Sequence, residues 1–197
     1  MPRYQYNQTH QQSCTAVAIM ITMAELGVIQ PHDVCKALEF GIWGNCKRSD
    51  VAGEEEIFPA QAMLSLRSKG ALAEIYQDKT ITAGLKQAAA QDYQQYKAGL
   101  ANNGIQRNGK IDLSSCFNDD ARIFVIVGFM GQGKLLTHTV LMRKDQGSIW
   151  VMNPDGGTDT QYGDGEIATF LAGQTAPVTF AGRAYLCAGI AIRVSLV

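Results

Sequence analysis

The most constraining feature of this chain is an apolar run. From Ala16 to Met23 it reads AVAIMITM, and no charged residue follows until Glu25. A run with no polar face predicts a helix buried on all sides in the middle of a domain. Gly27 supplies its stop signal, so the expected span is Ser13 to Leu26. A polar lead-in, NQTHQQ, ends at Ser13, a residue type favoured at helix N-caps, and Cys14 follows. A thiol at a helix N-terminus meets the positive end of the dipole and the first-turn N–H groups, which favour thiolate. Cys14 is thus a candidate nucleophile, with a small core residue as the alternative.

Composition narrows the classes. A chain of 197 residues with 46% hydrophobic and 18% charged residues suits one folded domain with a core. A net charge of -1 gives no electrostatic case for nucleic acid or an anionic membrane. No window reaches the roughly 18 apolar residues of a membrane span. The Cys14–Met23 stretch lacks a basic lead and a nearby A-x-A site, so it is not read as a secretion signal. The five cysteines (14, 35, 46, 116 and 187) include no C-x-x-C pair, which argues against a disulfide framework and a four-cysteine zinc site. A single Cys35–Cys46 bridge stays open. No metal or cofactor is expected, since no ligand spacing is present.

Along the chain, Met1 to Asn7 reads as an extended arm. Pro31 opens a second helix ending at Gly41, with Val34, Leu38 and also Cys35 and Ala37 facing inward. Gly41 to Gly53 reads as loop. Glu54 to Glu56 announce a helix from Pro59 to Ser68, with Ala62, Met63 and Leu66 inward and Gly70 beyond its end. Leu72 to Tyr76 is a strand, and Thr82 to Ala101 one surface helix. Asn102 to Asp120 is irregular, with a short strand near Ile111 as an option. Strands are expected at Arg122–Met130 (covered on both faces), His138–Arg143 and Ser148–Asn153. Pro154 to Gly165 is loop and Ile167 to Ala172 a short helix. The last strand, Ala184 to Val194, is half-buried, with Leu186, Ala188, Ile190, Ile192 and Val194 on one face. Helices first and strands last make an α+β fold: N-terminal helices, one of them central and buried, packed on a C-terminal antiparallel sheet.

Three histidines are available to Cys14. His10 lies just before the helix and reads as exposed. His32 reads as a capping or surface residue. His138 begins a strand after GQGK, a turn that lacks the spacing of a phosphate loop. A two-residue turn at Asp145 and Gln146, or a four-residue loop from Lys144 to Gly147, sets Leu141 opposite Trp150 and His138 opposite Asn153. Opposed side chains share a face, so Asn153 can orient the imidazole, with Asp155 one diagonal step away. A three-residue loop would instead oppose His138 to Pro154.

These residues resemble a papain-like cysteine peptidase. The similarity lies with the compact bacterial branch that includes the peptidases processing double-glycine leaders of bacteriocins. In that branch a glutamine precedes the nucleophile by six residues, as Gln8 precedes Cys14. A histidine at a strand start and a later Asp or Asn, often followed by Pro, complete the pattern; here they are His138 and Asn153-Pro154. The helix–glycine–strand from Ser65 to Tyr76 is also similar. The resemblance covers about residues 8–26, 62–76 and 121–156, and about 80–120 is an insertion without counterpart. Thr15 stands where the branch has Gly, and Asn153 where it commonly has Asp. The resemblance implies a single papain-like domain acting on a peptide or protein substrate. Its site is a Cys14–His138–Asn153 triad, with Asp155 as the rival third residue and Gln8 as oxyanion donor; Gln11 and Gln12 are rival donors. Glutamine deamidation or acyl transfer by an effector toxin stays open, as does an inactive binding module. An inhibitor or immunity protein is a candidate partner. The implied location is the bacterial cytoplasm, or delivery without a Sec signal.

Overall fold

The computed structural model describes residues 3–47, 57–118, 120–131, 134–173, 178–180 and 183–196. The helices are α1 (Cys14–Glu25), α2 (Lys36–Cys46), α3 (Pro59–Ser68), α4 (Lys79–Ala88), α5 (Ala90–Asn102), α6 (Leu113–Cys116) and α7 (Asp164–Leu171). The strands are β1 (Ala71–Gln77), β2 (Arg107–Asn108), β3 (Arg122–Gly131), β4 (Lys134–Asp145), β5 (Ser148–Asn153), β6 (Thr158–Tyr162), β7 (Val178–Phe180) and β8 (Arg183–Leu196). Seven strands form one open sheet in the order β2-β1-β8-β3-β4-β5-β6, and β7 pairs with β8 alone. The fold is α+β. The sheet is mixed rather than antiparallel, because β1 and β2 run parallel. Its β1–β2 end also comes from the middle of the chain.

The apolar run explains the architecture. Every residue of α1 from Thr15 to Glu25 is buried, as a helix without a polar face requires. Fully burying one Ile or Met side chain contributes roughly 1.5–3 kcal/mol, and Ile19, Met20 and Ile21 are all fully buried. Helices α1, α2 and α3 cover one sheet face, meeting Phe124, Leu141, Met152, Ile190 and Ile192. The other face packs Val125, Val140, Met142 and Val151 against Ile167 and Phe170 of α7. In α3, Ala62, Met63 and Leu66 point inward, and Gly70 follows at φ 82°. Among the described residues, no helix is long and apolar enough to cross a membrane.

Several expectations are corrected. Pro31 opens a short 3-10 turn, Pro31–Asp33, and α2 starts at Lys36 and runs through Gly41 to Cys46. It buries Glu39, Ile42 and Trp43, leaving Cys35 and Ala37 exposed. The predicted surface helix is two helices broken at Ala89, whose φ and ψ are -143° and 64°. The strand sought near Ile111 is β2, at Arg107–Asn108. The loop after Pro154 contains the edge strand β6. Strand β8 is covered on both faces: the register shift between Ile126 and Val127 is of two residues, so its alternation persists, and each face meets a core. Tyr185 and Cys187 join one core, Ile190, Ile192 and Val194 the other, and Leu186 is exposed. Lys47 caps α2; residues 48–53 of the predicted Gly41–Gly53 loop, Glu54 to Glu56, and the centre of the GQGK turn lie outside the described residues.

Candidate active site

The β4–β5 turn determines which side chains meet. Its central residues are Gln146 and Gly147, both with positive φ (51° and 81°), the pattern of a type I′ hairpin turn. Asp145 pairs with Ser148, Arg143 with Trp150 and Leu141 with Met152. The expected register, with Leu141 opposite Trp150, is therefore displaced by two residues. An even displacement keeps every side chain on its face, so His138 and Asn153 still meet, on a diagonal beyond the paired residues. Strand β4 also begins at Lys134, so His138 lies inside the strand rather than at its start.

His138 Nε2 lies 2.6 Å from Asn153 Oδ1. The same oxygen accepts the Asp155 N–H at 3.0 Å. An atom accepting from a backbone amide must be the carboxamide oxygen, so Nε2 carries the proton toward Asn153. That leaves Nδ1 for Cys14, whose side chain is hydrogen-bonded to His138. Burial pulls the imidazole pKa down. The charge and hydrogen bond of Cys14, the bond to Asn153 and the charge of Asp155 outweigh burial and raise it above its ordinary value. Tyr185, on β8, stacks on the imidazole with ring centroids 5.5 Å apart.

The segment before Cys14 is held by a carboxylate that the sequence reading missed. Glu39 is fully buried and accepts Thr9 N–H and Thr9 Oγ1, each at 2.8 Å, and Ser13 Oγ at 2.5 Å. Ser13 is therefore no side-chain cap of α1. Burial and the Glu39 carboxylate push the Tyr6 phenol up to about 12, so it stays protonated and bonds to Glu39. The available signal was positional: Glu39, Ile42 and Trp43 lie on one helical face at the i, i+3, i+4 spacing. His10 is half-buried rather than exposed. Its ring lies 4.3 Å from Trp43, and Nδ1 accepts the Gln12 N–H at 3.2 Å. His32 is on the surface beside Asp33.

Gln8 is placed differently from its expected role. Its backbone N–H donates to Pro154 O at 2.8 Å, which ties the arm to the turn that follows Asn153 and carries Asp155. Its side-chain Nε2 turns to Gln11 O at 3.3 Å. Gln8 does not line the cleft beside Cys14, whereas Gln11 and Gln12 do. The cleft has a volume of about 70 Å³ and is bounded by Cys14, Thr137, His138 and Thr139, with Ile57 and Phe58 on one side and α5 on another. All five cysteines are free. Among the described residues, no three His, Cys, Asp or Glu side chains gather as metal ligands.

Thr15 acquires a reason. Its Oγ1 lies 2.7 Å from Thr139 Oγ1, both side chains being buried. The residue after the thiol is thereby joined to the residue after the imidazole. Thr15→Val keeps the shape and leaves the Thr139 hydroxyl without this partner, an expected cost of about 1–3 kcal/mol. That corresponds to a Tm lower by roughly 2–12 °C in a thermal melt, with Thr15→Ser close to wild type. Equal melting of Thr15→Val and wild type would remove the clamp. Compared with known protein families and with curated protein sequences, the chain matches none.

Proposed function

We propose that the protein is a papain-like thiol hydrolase that cleaves a peptide or protein substrate. One observation carries the reading: a continuous hydrogen-bonded chain from Cys14 through His138 to Asn153, at the mouth of a cleft. It supplies a nucleophile, a base and an orienter in the order such chemistry requires. The Cys14 thiolate attacks the carbonyl carbon, and the first turn of α1, whose N–H groups have no acceptor within the helix, faces the developing oxyanion. The tetrahedral intermediate collapses, the C–N bond breaks, and the amine leaves with the imidazolium proton. Water, deprotonated by His138, then releases the acid and restores the thiol pair. Gln8 serves as oxyanion donor only once its bond to Gln11 opens; Gln11 and Gln12 already line the cleft.

The test combines alkylation and intact mass. A peptidyl electrophile is expected to label wild type at Cys14, to fail with Cys14→Ala and to slow with Gln8→Ala. On an unstructured protein substrate the expected product is fragments. An unbroken chain carrying the mass change of amide-to-acid conversion would replace the peptidase by a deamidase of the same triad. Cys14 labelling no faster than that of the exposed Cys35 would leave a binding module.

A further inference from the structure

Between Arg3 and Ser13 the chain has no helix or strand, so bonds from elsewhere must hold it. Four of them converge on one group. The Glu39 carboxylate, projecting from α2, is fully buried and takes the Tyr6 phenol, the Thr9 N–H and Oγ1 and the Ser13 hydroxyl. Four donors match the roughly four lone-pair sites of a carboxylate. The Ser13 proton is shared with His10 O, 2.8 Å from the same hydroxyl. Trp43, one turn further along α2, adds the contact with the His10 ring. Thr9 and Ser13 bracket Gln11 and Gln12, which line the cleft, and Thr9 adjoins Gln8. On the other side of Gln8, Asn7 Oδ1 accepts the Gly156 N–H at 3.0 Å. Gly157, at φ 61°, lies so close that a Cβ there would meet Asn7 N at 2.9 Å. The Gln8 backbone is thus held on both flanks. Its carboxamide is held loosely: Nε2 reaches Gln11 O at 3.3 Å, and Oε1 is buried with no hydrogen-bond partner among the described residues.

We propose that Glu39 is a positioning residue of the thiol site: it holds the segment from Tyr6 to Ser13 so that a carboxamide of that segment and the first turn of α1 meet the developing oxyanion together. Gln11 and Gln12 lie between the two residues it binds, and Gln8 lies directly beside one of them. Whichever of the three donates, its backbone is fixed by this carboxylate. The proposal rests on the thiol-hydrolase reading above and gives a role to a residue that reading does not use. An apolar side chain at position 39 would pack between α2 and α1 without the cost of burying a charge. The charge is explained by the donors it collects, and all four come from the segment in front of the sulfur. A misplacement of about 1 Å far from the reacting atoms can cost roughly 100-fold in rate.

Two reactions at the same sulfur test it. With iodoacetamide the S–C bond forms as iodide leaves, and no oxyanion appears. With p-nitrophenyl acetate the Cys14 sulfur bonds to the carbonyl carbon and an oxyanion forms. The C–O bond then breaks, p-nitrophenolate leaves, and S-acetyl Cys14 remains. Release by Cys14→Ala is subtracted, and peptide mass mapping locates both adducts. Glu39→Asp keeps the charge and draws the carboxylate back by one methylene. Thr9→Val combined with Ser13→Ala keeps the carboxylate and removes two of its donors. Each is expected to slow acylation about 10- to 100-fold, the cost of a displaced oxyanion donor. Alkylation is expected to stay within about threefold of wild type, because the thiolate pair with His138 remains. Where Glu39→Asp does not fold, the double variant decides alone. Acylation and alkylation slowed in equal proportion, or acylation within about threefold of wild type in the variants that fold, overturns the positioning role and leaves the hydrolase reading standing. A wild type whose Cys14 is never acylated overturns the hydrolase reading and this proposal with it.

Discussion

His138→Ala is expected to slow iodoacetamide alkylation of Cys14 by about 10- to 100-fold at pH 6. A cysteine with an ordinary pKa near 8.5 is only about 0.3% thiolate at that pH. An imidazolium bonded to the sulfur makes thiolate the dominant form, and the lower basicity of a stabilised thiolate returns part of the gain, which limits the ratio. The pH dependence follows from the raised His138 pKa. The imidazolium persists above its ordinary pKa of about 6.5, so the wild-type advantage is held at and somewhat above that pH and then declines. The same shift sets a stability trend. A histidine whose folded pKa is raised contributes stability that is complete below its unfolded pKa and disappears as pH rises through the folded one. The Tm of wild type relative to His138→Ala is therefore expected to be most favourable near pH 6 and to narrow toward alkaline pH. Alkylation rates within about twofold of each other, followed by peptide mass mapping at Cys14, would show that the imidazole does not activate the sulfur.

What the sequence discloses of this arrangement depends on how local the cause is. The apolar run specifies α1 because a helix without a polar face has one place to go. Pro59 and Gly70 bracket α3, and the β-branched run from Ile123 to Val127 marks β3. The face shared by His138 and Asn153 is also legible, since it needs only parity. The register is not: choosing Gln146-Gly147 over Asp145-Gln146 required giving Gly147 its preferred place as the second central residue of a type I′ turn. Asp145 stays in the strand, where the guanidinium of Arg3 pairs with it. Long-range polar contacts were out of reach altogether. Nothing near Thr15 points to Thr139, 124 positions away, and nothing near Gln77 announces Tyr93 and Tyr96, the two tyrosines it holds. The tilt of Gln8 toward Gln11 is likewise decided by the fold of the arm, which Glu39 organises from another helix.

The largest stability effect is expected from Glu25, at the end of α1 farthest from the thiol. A carboxylate in the last turn of a helix faces the negative end of the dipole, and here its side chain is fully buried. Two guanidiniums offset both costs. Arg122 Nε lies 2.5 Å from Glu25 Oε2 and Arg143 Nε 3.1 Å from Oε1. Arg143 also reaches Asp159 at 3.1 Å, and Arg3 contacts Asp159 at 3.2 Å while its guanidinium sits 3.6 Å over the Trp150 ring. Glu25→Ala leaves Arg122 and Arg143, both buried, with Asp159 as the remaining carboxylate partner within this set. Breaking a buried pair by removing one member costs about 3–5 kcal/mol, a large part of the roughly 5–15 kcal/mol that holds a typical protein folded. The expected fall in Tm is roughly 6–20 °C. Arg3→Ala, on the partly exposed arm, is expected to cost far less, as exposed ion pairs do. Glu25 also accepts the Tyr4 N–H at 2.9 Å, so its loss frees the arm, and hydrogen exchange at Tyr4 is expected to accelerate before global unfolding. Removing the charges together, as Glu25→Leu with Arg122→Met, restores part of the loss, because replacing a buried ion pair by apolar side chains is often close to neutral. A Glu25→Ala protein melting within about 2 °C of wild type would mean that the two arginines do not depend on the Glu25 carboxylate. The far end of α1 would then rest on its apolar contacts, and the arm would be held by Glu39 and by the pairs of Arg3 with Asp145 and Asp159.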